Sequence, residues 1–374
     1  METYKIKRIE RAYNVGALFM RAMRRVFAVA VAGPILLVAG GAGFAASRPL
    51  LPVPISTSPS NGDLNPYGVV FVSNNPGGTL KSGDILVSNF NNSTNVMGTG
   101  TTIVDIRNGA QLGTPFYTAA ATADGLDLAL AQLGKFIVVG NVPVVGSTPG
   151  SGALTVLNSS GNVVNTLTGA FINGPWGLAI SQKGNQATLY VSNLLDGTVW
   201  RLQATVSNKT GVTLTSETQI SGGYLTAVSF PASANGPAGL AYDSKHDILY
   251  VASEVDNEVF SILNASKLTT TTTPGTVVYK DTTHLHGPTG LLLLANGDLL
   301  TANDDGINVN PALPSELVEF FPAAPTGTFV TQYSVDPANG GAFGIGIARN
   351  GSQTLLGYVD DNTATLSVLS LFAK

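Results

Sequence analysis

The sequence predicts an all-β chain, a six-bladed β-propeller of four-stranded antiparallel blades, behind an N-terminal signal or apolar helix. Three observations carry that reading. A short phrase recurs six times. Its clearest copies are Gly174-Pro175-Trp176-Gly177-Leu178-Ala179-Ile180, Gly236-Pro237-Ala238-Gly239-Leu240-Ala241-Tyr242 and Gly287-Pro288-Thr289-Gly290-Leu291-Leu292-Leu293. Asn65-Pro66-Tyr67-Gly68-Val69-Val70 is an earlier copy, and Ala123-Asp124-Gly125-Leu126 and Ala342-Phe343-Gly344-Ile345 are worn ones. The anchoring glycines lie 57, 52, 62, 51 and 54 residues apart, the period of an array of equal supersecondary units. The composition agrees, because 43 glycines and only 11% charged residues suit short strands and tight turns rather than long solvated helices.

Residues 1–47 differ from the rest. Lys5, Lys7, Arg8, Arg11, Arg21, Arg24 and Arg25 stand against Glu2 and Glu10, an uncharged run from Val26 to Ser47 follows, and small residues close it. Basic start, apolar middle and small-residue exit describe an export signal. Arg24-Arg25 faintly resembles a twin-arginine pair, and Met23 would begin a signal of more ordinary length. The alternative is an uncleaved membrane anchor, since the uncharged run reaches the roughly 20 residues that span a bilayer; Gly33-Pro34 and Gly40-Gly41 weigh against it. The expected location is exported: periplasmic, extracellular or cell-surface, with membrane contact only if the segment stays attached. Without residues 1–47 the chain keeps 12 Lys and Arg against 21 Asp and Glu. That acidic balance, with no basic patch, argues against nucleic acid as a partner. The absence of cysteine excludes disulfides, thiol chemistry and Cys-ligated metal.

Residues 48–63 belong to no repeat. They read either as a Pro/Ser linker or, through Leu50-Leu51-Pro52-Val53-Pro54-Ile55, as the outer strand missing from a short last repeat. Closing the ring in that way would remove an open sheet edge. Residues 64–374 form the propeller. In the best-defined repeat, Leu178 to Ser181 is an apolar strand after a Pro-x-Gly turn, Thr188 to Asn193 is the second strand, Thr198 to Leu202 the third, and residues 212–220 can supply a fourth. Second strands recur at Ile85–Asn89, Ile137–Asn141, Leu249–Ser253, Leu299–Asn303 and Leu355–Val359. The first strand of each repeat is the most uniformly apolar, so it is expected innermost, covered on both faces. A seventh blade within the 62-residue gap between Gly177 and Gly239 is the alternative count.

This topology gathers the strand-entry turns and the ends of the second strands on one face. Asn89, Asn141, Asn193 and Asn303 lie there, with Tyr67, Trp176 and His286 as further members of a ligand-binding face. Asp124, Asn193, Glu254, Asp304, Asp305 and Asp360 are the metal candidates, because hard cations such as Ca²⁺ take six to eight oxygens from such groups. Each has a plainer reading. Asparagines tie down turns, adjacent carboxylates are often simply solvated, and Trp176 would plug the channel rather than stack on a sugar. His284-x-His286 has no third histidine near it for a soft metal. No nucleophile elbow and no phosphate loop is present.

With the repeats laid out, the chain resembles the NHL-repeat group of β-propellers. The Pro-x-Gly-Leu-Ala strand entry, the Leu-Tyr-Val-Ser-Asn strand and the Asp-Gly-Thr-Val turn carry the likeness over nearly all of residues 64–371. More distantly it resembles the gluconolactonase/regucalcin group and the strictosidine synthase-like propellers, at Gly177-Leu178-Ala179 and Leu189-Tyr190-Val191. The gluconolactonase resemblance implies a metal-binding Asn just before the strand-entry glycine. Here that position holds Trp176, with Tyr67, Ala238, Thr289 and Phe343 in other repeats and only Asp124 offering an oxygen. The expectation is therefore an exported, non-catalytic, monomeric propeller that binds a protein, a glycan or another polar ligand on its loop face and requires no cofactor, with Ca²⁺ the ion its oxygens would accept. The alternative is a Ca- or Zn-dependent lactone or ester hydrolase at the mouth of the central channel, and a third reading is a purely structural surface protein.

Overall fold

The computed structural model describes residues 52–372 apart from 74–75, 121–123, 231–232 and 351–352. The predicted export segment lies outside the described residues. The fold is all-β, six four-stranded antiparallel blades around a central axis, and no helix occurs among the described residues. The innermost strands are Leu64–Phe71, Leu126–Leu133, Pro175–Lys183, Pro237–Asp243, Pro288–Leu293 and Ala342–Asn350. Each packs against the innermost strand of the next blade, and the last packs against the first.

The long gap after Gly177 holds no seventh blade. Its residues extend the third blade's outer strands, Thr198–Ser207 and Gly211–Gly222, and then build a small hairpin from Ala227–Ser229 and Ser233–Asn235. The last blade has strands Ala342–Asn350, Gln353–Asp360 and Thr365–Phe372 from the C-terminal end. Ile55–Ser56 completes it by pairing with Leu366 and Thr365. Thr57 continues the seam, donating from its backbone N and its Oγ1 to Ala364 O, both at 2.9 Å. Two ends of the chain thus share one blade, and the edge that an unfinished sheet would expose is covered.

The repeated phrase has a specific geometric cause. The Pro-x-Gly segment is not a turn ahead of the strand, as its composition suggests. In the three clearest copies the innermost strand already begins at the proline, and in five blades the pairing with the second strand shifts register across this segment, whereas in the second blade the shift lies between Leu126 and Leu130, after the worn copy at 123–126. A β-bulge bends the strand there and re-aims its side chains. The glycine is demanded by the neighbouring blade. A Cβ on Gly177 would lie 1.9 Å from Ala238 O, and one on Gly344 only 1.6 Å from Tyr67 O, which is where the ring closes. Gly68, Gly177, Gly239, Gly290 and Gly344 each meet backbone of the next blade in this way, whereas the second blade has Leu128 at the corresponding position.

The residues of the Val-Ser-Asn strand end divide the remaining work. Ser192 Oγ donates to Ala238 O at 2.6 Å and Ser88 Oγ to Asp127 O at 2.7 Å, each stitching its blade to the next. The asparagine that follows holds the loop entering its own blade. Asn193 Oδ1 accepts from Asn173 N and its Nδ2 donates to Phe171 O; Asn303 repeats this with His286 N and His284 O. Between the blades lie six apolar layers. One joins Leu133, Val138 and Val156 of the second blade to Leu189, Val191 and Leu202 of the third. Each fully buried aliphatic side chain contributes roughly 1.5–3 kcal/mol.

Candidate functional site

The central channel is closed at the strand-entry face by aromatic rings. Tyr67 stacks between Phe343 and Phe90, with centroids 4.4 and 4.9 Å away, and Trp176 stands edge-on to Tyr67 and Phe90 at 5.8 and 5.0 Å. Val142, Val144, Phe230 and Ala234 pack over them. Tyr67 and Trp176 are 3% and 2% exposed, so their rings are packed inside this plug and offer no open stacking platform. Beyond the glycines the axis opens into a cavity of about 400 Å³ lined by all six innermost strands through apolar residues such as Val69, Leu130, Leu178, Leu240, Leu291 and Ile345. No carboxylate is among its lining residues. The buried ionisable groups near the axis therefore lie at the plug rather than in the cavity.

Three carboxyl groups from three blades act electrostatically on the buried Tyr67 hydroxyl: Glu254 after the fourth blade's second strand, Asp304 after the fifth's and Asp361 after the sixth's. Each follows the end of a second strand by one residue, so the repeat itself delivers them to the axis. Asn65 Nδ2 donates to Asp361 Oδ2 at 3.1 Å, Asn235 Nδ2 to Asp304 Oδ2 at 3.4 Å, Gly306 N to Asp304 Oδ1 at 2.8 Å and Gly236 N to Glu254 Oε2 at 3.3 Å. The Trp176 ring N–H faces Glu254 and favours its charged form. Asp361 Oδ1 is buried and has no hydrogen-bond partner.

Burial dominates the electrostatics of this group. It raises Glu254 well above the ordinary carboxylate range, with Asp304 next in effect. It raises Asp304 also, where Asp305 adds to the effect. Asp361 is pushed up to about 8, first by burial and then by Asp360 and Asp304. Tyr67 is held protonated by burial and by Asp361. The charged neighbours that act on these acids are other acids, so the cluster retains protons or takes up a cation.

A second buried group lies beside it. His286, Asp305 and Glu316 are 0%, 5% and 2% exposed, and their ligand-type atoms lie within 4.8 Å of one another. Asp305 Oδ2 accepts from Ser315 N at 2.7 Å, Gly340 N at 3.1 Å and Ser315 Oγ at 3.3 Å. Glu316 Oε2 accepts from Asn303 Nδ2 at 3.3 Å, and burial raises the Glu316 carboxyl.

The sequence-predicted residues separate into three sets. Glu254 and Asp304 meet at the Tyr67 hydroxyl, whereas Asp305 turns away from its chain neighbour towards His286. Asn89, Asn141, Asn193 and Asn303 are engaged locally: Asn89 Nδ2 donates to Thr57 O, and Asn141 Oδ1 accepts from Ala153 N. Asp124 stands apart from the Glu254 group, accepting from Asn141 Nδ2 at 2.6 Å, and Asp360 accepts from Thr363 Oγ1 at 2.5 Å while its charge acts on the adjacent Asp361. His284 does not join His286; it meets Asp281 at 2.6 Å and stacks on Phe329. Asn65, Asn235 and Glu316 complete the two groups; Asn65 and Asn235 stand at or just before copies of the repeated phrase, whereas Glu316 carries no repeat signal, and Asp361 directly follows the candidate Asp360.

No model of a protein family matches the chain, and no curated protein sequence does. Solved structures with the same architecture do match. Virginiamycin B lyase from Staphylococcus aureus aligns over 85% of this chain and 98% of its own, at 12% identity and a TM-score of 0.50. An α-L-arabinofuranosidase of Fusarium graminearum in complex with an iminosugar inhibitor aligns over 87% and 98%, at 11% identity and a TM-score of 0.51. A gluconolactonase from Xanthomonas campestris aligns over 83% and 88%, at 12% identity and a TM-score of 0.48. At such identities the first two establish the propeller fold and leave the reaction to the residues.

Proposed function

We propose that the protein is a cation-dependent hydrolase acting on a lactone or ester of a polar small molecule at the plugged mouth of the channel. The observation that carries this reading is that Glu254, Asp304 and Asp361 each follow the second strand of successive blades, are tied to Gly236, Asn235 and Asn65, and act on one buried hydroxyl with no basic residue among the charges acting on them. The donor set is all oxygen, with Asn65 and Asn235 in reach and Asp361 Oδ1 lacking a partner. That chemistry fits Ca²⁺, a hard ion that accepts carboxylate and amide oxygens in a flexible shell. When bound, such an ion polarises a carbonyl oxygen and makes an attacking water more acidic. The chain's own residues hold the geometry. Asn65 orients Asp361, Asn235 and Gly306 orient Asp304, the aromatic plug keeps water from entering along the axis, and Glu254 holds a proton beside the other two acids. Structural neighbours that are named as a lyase and an arabinofuranosidase agree with an enzymatic use of this fold. Export remains our proposal for the location, on the strength of residues 1–47.

The test is a panel of lactones and esters assayed with Ca²⁺ and after chelation. Turnover that chelation removes, that Ca²⁺ restores, and that Asp304→Asn and Asp361→Asn each reduce by about 100-fold or more supports the reading. Calcium-replete protein without turnover across the panel overturns it.

A further inference from the structure

We propose that His286, Asp305 and Glu316 form a second metal site, for a divalent transition metal such as Zn²⁺ or Mn²⁺, chemically distinct from the oxygen-only group around Tyr67. The three side chains are almost wholly buried, yet four of their polar atoms have no hydrogen-bond partner: His286 Nδ1 and Nε2, Asp305 Oδ1 and Glu316 Oε1. Other buried polar atoms among the described residues also lack partners, but these four sit on three side chains that each bring a ligand atom within 4.8 Å of the others, and leaving such a cluster unpaired is costly unless something else satisfies it.

The spacing identifies what that is. His286 Nδ1 lies 3.4 Å from Glu316 Oε2 and 3.8 Å from Asp305 Oδ1. Those distances exceed the 2.7–2.9 Å of a charge-assisted hydrogen bond. They suit two ligands of one ion instead, since donors about 2.1 Å from a tetrahedral metal are about 3.4 Å apart. Charge points the same way. Two carboxylates are neutralised by one divalent cation, whereas a protonated imidazole offers a single positive charge. An imidazole with two carboxylates is a donor set for borderline transition metals rather than for Ca²⁺.

The ligands are also held in advance. Asn303 accepts from His286 N and donates to Glu316 Oε2, while Ser315 N and Gly340 N fix the other oxygen of Asp305. His286 enters from the loop before the fifth blade, Asp305 from the loop after its second strand and Glu316 from the start of its third strand. An ion there would pin all three segments to one another, and through Gly340 the connection to the sixth blade.

The full chain, stripped with chelator and titrated with ZnCl₂ alone, is expected to bind one equivalent and to gain thermal stability in a concentration-dependent manner. Co²⁺ in the same site is expected to give visible absorption bands. Both responses should vanish in His286→Ala and fall by at least about tenfold in affinity in the near-isosteric Glu316→Gln, whereas Ca²⁺ binding at the Tyr67 group persists. Loss of calcium-dependent turnover with Zn²⁺ binding intact would sink the hydrolase reading alone. Absence of one-to-one Zn²⁺ and Co²⁺ binding to the wild-type chain, or binding that both substitutions leave unchanged, overturns the present proposal.

Discussion

Trp176 shows how one residue can serve packing and electrostatics together. Its ring closes the channel against Tyr67 and Phe90, and its N–H faces Glu254. Trp176→Ala removes the largest member of the plug and is expected to cost about 4 kcal/mol in denaturant unfolding. Asp361 gives the pH signature. Its folded pKa is about 8 against an ordinary 3.8, and the groups facing it are Asp360, Asp304, the Tyr67 hydroxyl and the Asn65 amide. The folded state therefore binds a proton that the unfolded chain releases above pH ~4. Its contribution is complete below that pH and is lost as pH rises towards 8. Thermal midpoints of the metal-free protein should fall across this window, and Asp361→Asn should flatten the profile. A wild-type profile that rises from pH 4 to 8 would contradict the assignment.

At the scale of the element, the strand-entry bulge explains why the same glycine recurs. Gly344→Ala would place a Cβ 1.6 Å from Tyr67 O, backbone that cannot swing aside. A loss of about 3 kcal/mol or more is expected, or failure to fold. The asparagine ties are smaller devices. Asn193→Ala releases the Asn173 and Phe171 backbone groups it holds and should cost about 2 kcal/mol by the same measurement, with little change in the strand itself. Motif residues of this kind were easy to find in the sequence because a packing requirement met in several blades leaves several copies. Site roles taken by single members of the pattern were harder to see: Asn65 and Asn235 accompany the repeated phrase but only the folded loops set them against acids, and Glu316 looks like an ordinary strand residue.

For the whole molecule, closure of the ring is the decisive event. Ile55–Ser56 pairs with the final blade more than 300 residues away, and Thr57 is bonded both to Ala364 and to Asn89. A chain beginning at Ser58 should therefore melt well below one beginning at Pro52 and should aggregate through the exposed strand Thr365–Phe372. Equal melting and equal solubility of the two chains would show that the seam contributes nothing.

The sequence by itself determined the all-β class, the repeated units and the innermost position of the apolar strands, and it left the segment before the first repeat open between a linker and the closing strand that the structure shows. These follow from local periodicity and from repetition, which the order of residues records directly. Only the tertiary structure decided that the Pro-x-Gly phrase is a bulge, that Asp304 and Asp305 point to different groups, and that Asp361 joins Glu254 while Asp124 and Asp360 do not. Those outcomes depend on where single loops meet around a closed ring, and contacts between residues 50 to 300 apart are set by the packing of blades rather than by any pattern along the chain.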